Sequence, residues 1–107
     1  MADIKPPELR IGLVELRPLD HKVYGAAGAF TNIVTWARDL EGFRLKADEI
    51  AAYLEMFVLD IEGAEPLAER AKGHTMAEEI DDMVRRAESN PNATVYGTFH
   101  KYPFDQA

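Results

Sequence analysis

Three side chains in this sequence could do acid–base or ligand chemistry: Asp60, His100 and Tyr102. An imidazole titrates near neutral pH, a carboxylate orients it, and a phenol can donate or hold a proton. His100 and Tyr102 belong to Thr94-Val95-Tyr96-Gly97-Thr98-Phe99-His100-Lys101-Tyr102. Side chains alternate faces along a strand, so the spacing predicts Tyr96, Thr98, His100 and Tyr102 on one face. Val95, Gly97 and Phe99 are expected on the other. Asp60 and Glu62 alternate with Phe57, Leu59 and Ile61 in a second strand-like run. If the two strands were neighbours, Asp60, Glu62 and His100 could meet as an acid–base or metal cluster. Carboxylates and imidazole are suitable ligands for zinc, manganese or iron. No HxH, HExxH or HxxxH spacing accompanies them, so no metal and no cofactor is expected. Nor does a GxSxG, P-loop or GxGxxG motif occur. Gly25-Ala26-Ala27-Gly28 precedes a strand, not a helix, and reads as a tight connection. His21 and His74 read as loop residues, and Thr75 as a helix cap.

The elements that must position these groups follow from periodicity. Residues 1–7 contain Pro6-Pro7 and read as a flexible leader before a single α+β domain over 8–107. Residues 8–17 read as a strand, with Gly12 marking a bulge. Residues 29–37 form the strongest strand, rich in β-branched and aromatic side chains. Phe30, Val34 and Trp36 fall on one side of it; Thr31, Ile33 and Thr35 fall on the other. Trp36 is expected to pack in the core. Asp39 is a candidate N-cap. Phe43, Ala47, Ile50 and Leu54 recur at i, i+4, i+7 and i+11, which predicts a helix over about 39–54. Residues 56–62 alternate as a strand. Pro66 opens a short helix and Gly73 stops it. A capping box at Thr75–Glu78 opens a helix with the stripe Ala77, Ile80, Val84 and Ala87. A last strand is expected over 93–102.

This order, β-β-α-β-(short α)-α-β, predicts a two-layer α+β sandwich. Its sheet would have about four mainly antiparallel strands, with two main helices on one face, in a ferredoxin-like arrangement or a variant of it. The other sheet face would carry Thr31, Ile33, Thr35, Val58, Tyr96, Thr98, His100 and Tyr102. Such a face is too apolar and aromatic to be simple surface, and suits a homodimer packed sheet to sheet or a binding floor.

The bulk composition restricts the partners. The 107 residues carry 12 Lys+Arg against 19 Asp+Glu, a formal charge of −7. That balance excludes a basic nucleic-acid footprint and disfavours anionic membrane surfaces. It permits a basic protein partner. The chain has no cysteine, which removes disulfides and thiolate chemistry and fits a cytoplasmic location. No apolar run reaches membrane-spanning length. The expected function is that of a small acidic cytoplasmic binding module, such as a toxin-neutralising immunity or regulatory protein. The alternative is a small dimeric ferredoxin-like enzyme or small-molecule binder using the open face, with His100, Tyr102 and Asp60 as its working groups.

Overall fold

The computed structural model describes residues 6–20, 22, 25–72 and 77–103. His21, Gly73, His74, the Thr75 end of the capping box and positions 1–5 of the leader lie outside the described residues. The elements are β1 (Glu8–Pro18), β2 (Gly28–Ala37), α1 (Leu40–Tyr53), β3 (Met56–Pro66), α2 (Leu67–Ala71), α3 (Glu78–Glu88), β4 (Thr94–Tyr96) and β5 (His100–Tyr102). The order is the one that the periodicity predicts, except that the last strand is broken in two. The strands form one sheet in the order β3-β1-β2-β4, with β5 also on β2. Every pairing is antiparallel.

Sequence patterning explains why β1 and β2 lie at the centre. Both strands carry apolar groups on both faces, so both faces need cover. Direct partners share a face, and the register pairs Ile11 with Val34, Gly12 with Ile33 and Val14 with Thr31. Val14, Leu16, Ile33 and Ala37 pack with Phe43, Ala47 and Ala51 of α1. Ile11 and Val34 pack with Met83 and Ala87 of α3. Ile33 and Val34 are consecutive, so the two helices cover opposite faces. The expected pair of helices on one face is therefore corrected, and the fold is an α+β sheet with a helix on each side. Two-sided burial of β2 is the physical reason: Ile33 and Val34 are both fully buried and cannot share a cover.

Local signals place α1. Asp39 caps it, its Oδ1 accepting from Gly42 N at 2.8 Å. Phe43 leads the buried stripe and lies over Gly12, where a Cβ would sit 2.9 Å from the ring. Gly12 thus admits the helix, and the β1–β3 register shifts beside it. Trp36 lies on the α3 side, half-buried at the margin of the core and not within it, and its Nε1 donates to Ala87 O at 2.7 Å. On α3 the ion pairs converge on Asp82, which meets Arg86 at 3.1 Å and Arg85 at 3.8 Å.

Phe43 and Phe57 test this assignment. Phe43 is fully buried, and Phe57 is 44% exposed. In urea unfolding, Phe43→Ala should cost about 3–5 kcal/mol. Phe57→Ala should cost under about 1 kcal/mol. Similar losses for the two would contradict the placement of the core.

Candidate functional site

The eight residues expected on one open face are divided by the structure. Thr31, Ile33 and Thr35 are fully buried on the α1 side, and Val58 is buried with them. The threonine hydroxyls have partners there. Thr31 Oγ1 donates to Gly97 O at 3.1 Å, and Thr35 Oγ1 donates to Ala93 O at 3.0 Å. These polar residues tie the chain around β4 to β2 and do not face a ligand. A sheet-to-sheet dimer through Ile33 and Val58 has no surface to use, because α1 occupies it.

The last strand changes phase in the middle. Tyr96 pairs with Ile33, whereas His100 pairs with Phe30. One chain advances four residues while its partner advances three, and the surplus residue reverses the alternation. Tyr96 and Phe99 therefore lie on the α1 side, stacked at 5.4 Å between ring centroids. His100 and Tyr102 lie on the α3 side with Phe30. Glu79 of α3 holds the break. Its carboxylate accepts from Thr98 N at 2.6 Å and from Thr98 Oγ1 at 3.0 Å. A Cβ at Gly97 would collide with that carboxylate. The Thr98 backbone bond, then its hydroxyl bond, hold the Glu79 carboxyl below its ordinary pKa, with a smaller contribution from His100.

On the α3 side, the helix covers only the end of the sheet at Ile11, Val34 and Val95. Beyond it, the register sets out two cross-strand rows. One runs Asp60, Glu15, Phe30, His100; the next runs Glu62, Leu13, Asn32. His100 and Asp60 are thus three strand spacings apart, roughly 14 Å. They share a face but do not meet, so Asp60, Glu62 and His100 do not form the cluster that neighbouring strands would have allowed. Among the described residues, no group of three or more His, Asp and Glu is placed to hold a metal.

Tyr102 does find a carboxylate, though not the expected one. Its hydroxyl donates to Glu15 Oε2 at 2.5 Å. The ring crosses Gly28, where any Cβ would overlap it, and lies 5.5 Å from Phe30. Burial, then the Glu15 bond, push the Tyr102 phenol above its ordinary pKa, with Arg17 alongside opposing. Glu15, Phe30 and Arg17 are the residues that spacing did not single out. Gly28 was the available signal, because a glycine inside a strand marks close approach by another group.

The result is a shallow, half-covered floor of Leu13, Phe30 and Tyr102, edged by Asp60, Glu62 and Phe57. Asp60 and Glu62 have no cationic partner among the described residues, whereas Glu65 has Arg70 and Asp82 has two arginines. An open groove of about 600 Å³ lies elsewhere, beside Trp36, Leu45 and Lys46. A second, of about 470 Å³, includes Asp60 but neither His100 nor Tyr102. Neither groove gathers the three groups into one acid–base centre. No helix among the described residues is long and apolar enough to cross a membrane. Comparison with known proteins gave no match to a family model, a curated protein or a solved structure.

The Tyr102–Glu15 bond sets a pH dependence. A raised phenol pKa means that its stabilisation is complete below the unfolded value, about 10, and is lost as pH rises through the folded value. Tyr102→Phe should cost about 1 kcal/mol at neutral pH. The gap to wild type should close above pH 10 in denaturant unfolding. A gap constant through pH 11.5 would show that the bond carries no such linkage.

Proposed function

We propose that this chain is a non-enzymatic binding module that takes a basic protein partner on the uncovered half of its α3 face. The observation that carries this reading is the pairing of an apolar and aromatic floor with unmatched carboxylates. Phe30 and Tyr102 offer ring faces and edges at one side of the floor, and Asp60 and Glu62 stand with the exposed ring of Phe57 at the other, on β3, without an ion-pair partner among the described residues. A guanidinium or ammonium can stack on a ring while meeting a carboxylate. The formal charge of −7 would steer such a partner at long range. Neutralising or regulating a cationic protein, as an immunity protein does, is the biological role this chemistry serves best. A cysteine-free chain suits that work in the cytoplasm.

An NMR titration of the labelled protein with a heptapeptide alternating Arg and Val tests the reading. Shifts should concentrate at Leu13, Phe30, Asp60, Glu62 and Tyr102, and affinity should fall with added salt. The double variant Asp60→Asn, Glu62→Gln should weaken binding roughly two- to thirtyfold, from two exposed ion pairs. Shifts confined to the acidic surface of α3, or equal affinity for the double variant, would contradict it.

A further inference from the structure

We infer that the free edge of β3 is a strand-addition site, and that its occupant is an extended basic segment of the partner protein. The inference rests on the reading above for the sign of the partner's charge, and adds the backbone as the means of contact. β3 is 11 residues long and pairs only with β1. Its other side therefore presents a row of main-chain donors and acceptors without a ladder partner among the described residues. The opposite edge of the sheet is a poor template, because β4 and β5 have three residues each and Glu79 intrudes between them. Phe57 and Leu59 are 44% and 43% exposed on β3. An added strand would cover both, and would extend the floor at Asp60 and Glu62 by one more strand.

Charge selects the occupant. Directly opposed like charges destabilise a strand pair, and opposite charges support it. A second copy of β3 would bring Asp60 and Glu62 near their own duplicates. Lysine or arginine at alternate positions of a foreign strand would meet them favourably, on the face that also carries Phe57, and the apolar residues between would turn to the α1 side beside Ile61. The register shift of β3 near Gly63–Ala64 ends the stretch open to pairing, and the one near Leu59 bends it in the middle. The footprint is about residues 56–62, and an added strand must follow the bend at Leu59. Strand addition supplies affinity through the main chain and specificity through alternate side chains.

The test uses the same Arg/Val heptapeptide with N-methyl groups on alternate amides, in two series. One series blocks the donors that would face β3; the other blocks those that would face solvent. One series should lose affinity about tenfold or more while the other stays within about twofold of the parent. Amide hydrogen exchange in residues 56–62 should slow with the parent peptide. Equal binding by both series, with the shifts at Phe30 and Tyr102 retained, would overturn strand addition and leave the face reading standing. Failure of the parent peptide to bind would sink both. Slowed exchange at 56–62 in concentrated peptide-free protein, with a dimer in sedimentation, would overturn the basic occupant in favour of a second copy. Asp60→Lys with Glu62→Lys, both at exposed positions, should abolish binding while leaving the unfolding midpoint nearly unchanged.

Discussion

Burial of β2 on both faces is the constraint on which the rest of this structure depends. Ile33 and Val34 are adjacent, point opposite ways and are both fully buried. Each needs its own cover, so α1 and α3 are forced onto opposite sides of the sheet. Among the described residues, α1 is alone on its face, whereas Leu67 of the short α2 packs against the cluster under α3. On the α1 side, Phe43, Ala47 and Ala51 reach across β2, β1 and β3. On the α3 side, an 11-residue helix with two buried residues covers less. The open floor is what that shorter cover leaves.

Much of this was legible from periodicity. The central strand, the Asp39 cap, the α1 stripe and the alternation of Trp36 against Ile33 all depend on local spacing, and all are found. The side taken by each helix was not legible. Both faces of β2 read as apolar, so nothing in its pattern distinguishes one shared cover from two separate ones. Thr31 and Thr35 deepen the ambiguity. Hydroxyls suggest an exposed face, yet here each is buried because a carbonyl near β4 accepts its proton.

The chemistry at the C-terminal strand shows a second limit. Strict alternation placed Tyr96 with His100. The structure separates them, because Glu79 grips Thr98 from 19 residues away and takes one residue out of the ladder. A side chain on a helix thereby decides which face a histidine occupies. Phase carried forward along a single strand cannot register a contact of that kind. The pairing of Tyr102 with Glu15, 87 residues apart, is equally non-local. Asp60, the carboxylate that spacing offered instead, stands at the far edge of the same face.

The opposed helices can be tested by side-chain proton distances in a methyl- and aromatic-labelled sample. The Ile33 methyls should show nuclear Overhauser contacts to Phe43 and Ala47, and the Val34 methyls to Met83 and Ala87. Contacts from both residues to the same helix, or direct contacts between α1 and α3 side chains, would mean that one face carries both helices, and the floor described above would not exist.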